Sequence, residues 1–227
     1  MTRPRAASET FVADLPKDKR AQVAPLYSPL IAIQGLGVRP TISPNDAVIF
    51  TSRNAVAHGP DGQDRHAFCV GPATTIAAHK MGWVAQMRGE TADALVEDMV
   101  QNPPHQSLIH LSGVHTRGDI SARLNAQGVQ ATNVAVYEQI AQPLSTQARE
   151  IIEGEKPVLV PLFSPRTSAQ FVAEVPLAAA VRVIALSYAV AQQLEAASYA
   201  GITVASVPNA NAMRSAIGDA LADLSSG

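Results

Sequence analysis

Short apolar runs recur along the whole chain, and each is followed by a segment with helical periodicity. The clearest runs are residues 47–50, 68–70, 108–111, 158–163 and 181–186. Runs of this length are typical of buried strands, and their alternation with helices is typical of α/β folds. The pattern therefore predicts mostly parallel sheets covered by helices.

Glycine and proline limit several of these predicted elements. Gly128 and Gly201 are each expected to end a helix, because glycine readily adopts the left-handed conformation that follows helix C-termini. A strand is then predicted over residues 202–207. Pro161 has no N–H to donate, so its strand is predicted to lie at a sheet edge or to contain a bulge.

Composition excludes several classes of function. The 227 residues fit one large domain or two small ones, and the net charge of −2 argues against a nucleic-acid or membrane-surface partner. With only 1 Trp, 4 Tyr and 5 Phe, a base-stacking surface is not expected. The single cysteine, Cys69, cannot form an internal disulfide. No membrane span or signal peptide is evident, so we expect a cytoplasmic monomer.

No residue pattern indicates a metal or an organic cofactor. His105, His110 and His115 recur every five residues, a spacing that suits neither one helix face nor a known metal site. His58 and His66 are expected in a polar loop. The glycine-rich motifs of dinucleotide- and triphosphate-binding proteins, and the nucleophile motif of α/β-hydrolases, do not occur.

Two segments resemble each other, and both are placed at a predicted strand-to-helix turn. They are residues 50–56, Phe-Thr-Ser-Arg-Asn-Ala-Val, and residues 163–169, Phe-Ser-Pro-Arg-Thr-Ser-Ala. About twenty residues after each, a second such turn follows, at Gly71 and at Ser187. This repeat predicts two similar α/β units.

Small hydroxyl residues and glycines follow the predicted strands directly. In open α/β sheets ligands lie beyond the carboxyl ends of the strands, where free N–H groups at helix N-termini can hold anions. Residues of these types also simply cap helices, and that alternative remains open. The candidate binding residues are Thr51, Ser52, Asn54, Gly71, Thr74, Ser112, Gly113, Ser164, Ser168 and Ser187.

Tyr137 lies in an extended stretch between the two predicted units. A phenol in a cleft could donate a proton to a leaving hydroxyl group. The alternative is a strand tyrosine that packs against its neighbours.

Taken in order and spacing, these motifs resemble the uroporphyrinogen-III synthase family over essentially the whole chain. The segments that carry the resemblance are Thr2-Arg3-Pro4, Pro29-Leu30-Ile31, residues 50–56, residues 70–74, Val136-Tyr137-Glu138 and residues 163–168. Two departures stand out. The family usually has a full strand before Thr-Arg-Pro, and Leu186-Ser187-Tyr188 stands where a Gly-Pro-Ser/Thr turn is common.

The resemblance implies two similar three-layer α/β domains with parallel sheets, the second inserted into the first. Residues 1–28 and 146–227 would form the outer domain and residues 45–132 the inserted one. Residues 29–44 and 133–145 would form a connecting two-stranded β-ladder.

The resemblance also implies an activity. The substrate would be hydroxymethylbilane, a linear tetrapyrrole that is cyclised with loss of water and inversion of its last pyrrole ring, in tetrapyrrole (haem-type) biosynthesis. No cofactor is implied. Tyr137 would be the catalytic proton donor, and the strand-end residues given above would bind the carboxylate arms.

Two other classes of protein compete with this interpretation. One is a non-catalytic intracellular two-domain protein that binds an anionic small molecule, and a test for cyclised product separates it from the enzyme. The other is a response-regulator-like domain, which the sequence disfavours because no acidic cluster follows the first predicted strand.

Overall fold

The computed structural model describes residues 1–115 and 118–225, and of residue 225 it describes the backbone alone. Two compact units make up the chain. Unit 1 consists of Met1–Ala32 and Ile140–Gly227, and unit 2 consists of Ile33–Gln139. The backbone therefore passes from one unit to the other twice.

Strands and helices alternate through most of both units. The strands are β1 (Ile31–Gly35), β2 (Asp46–Phe50), β3 (His66–Val70), β4 (Val84–Gly89), β5 (Ser107–Gly113), β6 (Ala131–Ala141), β7 (Val158–Leu162), β8 (Leu177–Ala185) and β9 (Ser198–Val204). The helices are α1 (Arg5–Ala13), α2 (Lys17–Arg20), α3 (Arg53–His58), α4 (Pro72–Lys80), α5 (Ala92–Gln101), α6 (Ile120–Asn125), α7 (Thr146–Ile152), α8 (Pro165–Glu174), α9 (Tyr188–Ala191) and α10 (Ala210–Ser225).

Unit 2 is built on a sheet with the strand order β1-β6-β5-β2-β3-β4. Its strands from β6 to β4 pair in parallel. Successive side chains of β2 point to opposite faces, so Val48 and Phe50 pack with α3 and α4, whereas Ala47 and Ile49 pack with α5 and α6. Helices thus cover both faces of the sheet, which makes three layers.

Unit 1 has a smaller parallel sheet with the order β7-β8-β9. Val181, Val183 and Ala185 of β8 belong to a core formed with α7, α8 and α9. Ile184, between them in sequence, packs on the other face with α1 and α10. This unit also has three layers, and the predicted mixed α/β fold with parallel sheets is confirmed.

The strands β1 and β6 both cross the boundary between the units. In unit 2 the N–H of Leu36 donates to the carbonyl of Val136 (3.0 Å), and in unit 1 the N–H of Gln142 donates to the carbonyl of Leu30 (2.8 Å). The partner number falls as the residue number rises, so these two segments run antiparallel.

Several sequence predictions are tested by these elements. Pro161 does lie in an edge strand, β7, and Gly128 follows α6 with φ 80°. The prediction for Gly201 is wrong, because this residue lies inside β9, which begins at Ser198. The loop prediction for His58 and His66 is also wrong: His58 ends α3 and His66 begins β3.

The first two residues are held beside the segment that precedes β1. The Met1 ammonium donates to the carbonyl of Leu26 (2.7 Å), and burial lowers the pKa of this group to about 6. The Thr2 hydroxyl donates to the carbonyl of Pro161 (3.1 Å). In the part of the chain that the structure describes, no strand precedes α1. No helix among these residues is long and apolar enough to cross a membrane.

Candidate functional site

The predicted binding residues of unit 2 follow neighbouring parallel strands. Phe50 at the end of β2 is in register with Cys69 of β3 and with Leu111 of β5. Because parallel strands end at the same edge of a sheet, the residues that follow β2, β3 and β5 lie along one edge. Thr51, Ser52 and Gly71 follow their strands along this edge. Ser112 and Gly113 also lie there, but they are the last two residues of β5, so the prediction that they follow this strand is wrong.

The residues after β2 and β3 form the first turns of two helices. The Ser52 hydroxyl accepts a hydrogen bond from the N–H of Asn54 (3.1 Å), so Ser52 caps α3. Gly71 precedes α4 with φ 74°, a conformation that favours glycine. Ser52, Asn54 and Gly71 are partly exposed, whereas Thr74 is buried within the first turn of α4.

Below the same edge, a buried histidine contacts Thr51. Nε2 of His110 lies 3.4 Å from the Thr51 hydroxyl. Burial lowers the pKa of His110 to about 4, while Asp119 and a hydrogen bond with Asn133 oppose the shift. The imidazole is therefore neutral at pH 7. The spacing of the histidines did not indicate that His110 lies beside the candidate site. Only its position in an apolar strand could have indicated this.

A β-bulge fixes the position of Tyr137. Ser112 pairs with Ala135 and Gly113 pairs with Tyr137, so β6 contains one extra residue, Val136, opposite β5. The N–H of Val114 then donates to the Tyr137 carbonyl (3.0 Å). Bulges redirect side chains, and they are frequent beside active sites.

The Tyr137 ring is packed into unit 2 but keeps its hydroxyl unpaired. The residue is 7% exposed, and its ring centroid lies 6.3 Å from that of His58. Within residues 1–115 and 118–225 its hydroxyl has no hydrogen-bond partner, and the fully buried unpaired atoms there are Trp83 Nε1 and Ser121 Oγ. The described residues therefore hold Tyr137 by packing of its ring.

In unit 1 the predicted residues differ in exposure. Ser164 is partly exposed and caps α8, since its hydroxyl accepts from the N–H of Thr167 (3.2 Å). Ser187 is also partly exposed and makes no side-chain cap to α9. Ser168 is fully buried, and its hydroxyl donates to the carbonyl of Val190 (2.9 Å). The Ser168 side chain thus joins α8 to α9.

Two further candidates in unit 2 have little accessible surface. The Ser112 side chain is buried, and its hydroxyl lies 3.2 Å from the carbonyl of Gly113. Gly113 is buried as well, beneath the ring of Tyr137. The open part of this edge is therefore formed by Thr51, Ser52 and Gly71.

Two cavities of unit 1, of about 630 and 770 Å³, are lined by none of the predicted site residues. The larger is mostly apolar and follows the free edge of β7. Over the described ranges 1–115 and 118–225, no three His, Cys, Asp or Glu side chains are grouped as a metal site. The strand ends remain the best candidate for an anion site.

Comparison with known proteins identifies similar chains. The model of a family described as uroporphyrinogen-III synthase HemD matches residues 13–215. A crystal structure of uroporphyrinogen-III synthetase from Helicobacter pylori 26695 is similar with a TM-score of 0.64 and 15% identity, covering 84% of this chain and 91% of that one.

A second similar structure is a mutant uroporphyrinogen III synthase from the extremely thermophilic bacterium Thermus thermophilus, with a TM-score of 0.46 and 10% identity, covering 98% of this chain and 100% of that one. At 15% identity, the likeness to the Helicobacter pylori structure concerns the fold. The curated proteins contain no significant match to this chain.

Proposed function

Because the chain belongs to the uroporphyrinogen-III synthase family, we propose that it cyclises hydroxymethylbilane to uroporphyrinogen III, with Tyr137 as the proton donor. The match over residues 13–215 carries the assignment of the reaction, since it extends over parts of both units and includes all nine described strands. The role of Tyr137 is supported by its position opposite Gly113, the last residue of β5, at the edge where the predicted binding residues lie.

The proposed reaction begins when the Tyr137 phenol protonates the hydroxymethyl oxygen, which leaves as water. The substituted carbon of the last pyrrole ring then attacks the resulting cationic carbon and forms a spiro intermediate. Cleavage and reclosure invert that ring, and the proton released from its formerly free carbon restores the phenol. Atoms balance as hydroxymethylbilane giving uroporphyrinogen III and water.

The substrate is a polyanion, yet the chain has a net charge of −2. Hydroxyls and N–H groups at strand ends can bind carboxylates without an excess of lysine or arginine. We assign this role to the partly exposed candidates, which are Thr51, Ser52, Asn54, Gly71, Ser164 and Ser187. Their main task is positioning, because attack by the free carbon would close the ring without inversion.

The domain boundaries, the location and the oligomeric state are proposed as the sequence predicts them. We propose an outer domain of residues 1–28 and 146–227, an inserted domain of residues 45–132, and connecting strands in residues 29–44 and 133–145. A cytoplasmic location and a monomeric state stay predictions.

The activity is tested with the purified chain and freshly prepared hydroxymethylbilane. After oxidation, the porphyrin isomers are separated and quantified against a reaction without protein. We expect the inverted isomer to dominate only when the chain is present. An isomer ratio equal to that of the protein-free reaction, together with measurable binding of the substrate, would instead support the non-catalytic binding protein.

The role of Tyr137 is tested by Tyr137→Phe, which keeps the packed ring and removes the acid. General acids typically contribute about 10²- to 10⁴-fold, and the reactive leaving group places the expected loss of kcat near 10². The melting temperature should change little, because no described residue forms a hydrogen bond with this hydroxyl. A wild-type kcat would exclude Tyr137 as the proton donor, and a large drop in melting temperature would favour a structural role.

A further inference from the structure

Gly113 lies directly under the Tyr137 ring. A Cβ built on Gly113 would be 2.7 Å from Cζ, 2.9 Å from Cε2 and 3.0 Å from the hydroxyl oxygen of Tyr137. Ordinary carbon contacts begin at about 3.4 Å, so an alanine here would have to displace Cζ by about 0.7 Å. The ring occupies the space that any side chain at position 113 would need.

The ring has little freedom to move away from such a side chain. Tyr137 is 7% exposed, and its ring adjoins the His58 ring on α3. His58 in turn lies over another glycine, since a Cβ on Gly35 would be 2.7 Å from its Nδ1 atom. Two rings on one face of the sheet therefore rest on glycines of two different strands.

We propose that Gly113 is a positioning residue for the reaction: its missing side chain sets where the Tyr137 hydroxyl lies. The bulge at Val136 places Tyr137 opposite Gly113, and the missing side chain of the glycine leaves the space that the ring occupies. The inference rests on the proposed function of Tyr137. It also gives Gly113 a task other than the direct substrate contact that the sequence suggested.

The test is a double-mutant cycle with Gly113→Ala and Tyr137→Phe, in which kcat, KM and the isomer ratio are measured. Misplacing a catalytic group by about 1 Å can cost about 10²-fold, so Gly113→Ala should lower kcat by about 10- to 100-fold with little change in KM. In the Tyr137→Phe background the same alanine should change kcat less than about threefold, because no hydroxyl remains to be misplaced.

Gly201→Ala is the matched control. Gly201 lies in β9 with no atom within 4 Å of the place that an added methyl group would take and no left-handed φ, so the kcat of this variant should equal that of the wild type. Each variant is assayed well below its own melting temperature. If Gly113→Ala does not fold, Gly35→Ala replaces it, because the added methyl group would lie 2.7 Å from Nδ1 of His58, whose ring adjoins that of Tyr137. The smaller loss of kcat in this variant should also vanish in the Tyr137→Phe background.

The outcomes separate the two proposals. A wild-type kcat in Tyr137→Phe overturns Tyr137 as the acid and, with it, the role of Gly113. A slow Tyr137→Phe with a wild-type Gly113→Ala overturns only the positioning role. So does a loss of kcat from Gly113→Ala that is equally large in both backgrounds, because the glycine would then act independently of the hydroxyl.

Discussion

His110 occupies an unusual place for a histidine, in the middle of a buried parallel strand with only 2% of its surface exposed. Its ring contacts Thr51, and Asp119 and a hydrogen bond with Asn133 each act to raise its pKa. Burial is the largest of these effects and lowers the pKa to about 4. His110 therefore binds a proton at a lower pH in the folded protein than in the unfolded chain.

This difference predicts how stability depends on pH. An unfolded histidine titrates near pH 6.5, so between about pH 6.5 and 4 the unfolded state binds more protons, and stability falls as the pH falls. Lowering the pH from 7 to 4.5 should cost on the order of 2 kcal/mol at this site. Urea unfolding should show a smaller loss in His110→Gln than in the wild type.

The control for this experiment is His79→Gln, at an exposed position on α4. Each variant lacks one imidazole, which is buried at position 110 and exposed at position 79. If His110→Gln and the wild type lose equal stability between pH 7 and 4.5, the buried ring does not contribute to the acid sensitivity of the fold.

Among the elements, the turns before α3 and α8 share one conformation. Ser52 has φ −150° and ψ 141°, and Ser164 has φ −151° and ψ 150°. After Ser164 the helix begins with Pro165, whereas after Ser52 it begins with Arg53. The extended dihedral angles of Ser52 are those that a residue before proline prefers, and proline suits the first position of a helix.

Arg53→Pro should therefore fit the turn without strain. Relative to Arg53→Ala, it should raise the free energy of unfolding by about 0.4–1 kcal/mol, because proline restricts the unfolded chain. Asn54→Pro is the contrasting variant: it removes the N–H that donates to the Ser52 hydroxyl and should lose about 1 kcal/mol or more. Chemical denaturation measures all three, and a destabilised Arg53→Pro would show that the two turns are not equivalent.

The sequence predicted those elements whose burial leaves a simple pattern. The central strands β2 and β5 are continuous apolar runs, and the strand containing Tyr137 was recognised from its alternation. The edge strand β4 was missed, since polar residues such as Gln86 interrupt it and much of it is exposed. Gly201 was misassigned because a glycine inside an edge strand looks like one that ends a helix.

The site was harder to predict than the strands. Ser52 and Ser164 stand where the pattern placed them, at strand ends. The contact between Tyr137 and Gly113 depends on the bulge at Val136, and a one-residue change of register between strands distant in sequence leaves no local signal. The burial of Ser168 likewise depends on how α8 packs against α9.

Considered as a whole molecule, the chain has separate cores in its two units. Each of the four buried clusters draws its residues from one unit only. A cavity in one core should therefore weaken that unit first. Leu124→Ala in unit 2 and Leu162→Ala in unit 1 both truncate fully buried leucines, and each should cost about 2–5 kcal/mol.

Hydrogen exchange of backbone amides distinguishes the two effects. Leu124→Ala should reduce protection at Val48 in β2 and leave Val183 in β8 unchanged, and Leu162→Ala should do the reverse. Equal loss of protection at both amides in either variant would mean that the two units unfold as one cooperative structure.

The discontinuity of unit 1 has a consequence during synthesis on the ribosome. Phe11 of α1 and Leu15, just after this helix, pack in one core with Met213 and its neighbours in α10. At roughly 5–20 residues per second, about 10–40 s separate the translation of Phe11 from that of Met213. Unit 2 can complete its core within that interval, while α1 waits as an exposed apolar segment. Until α10 has been synthesised, the apolar residues of α1 lack this packing partner, and we expect the segment to be prone to aggregation.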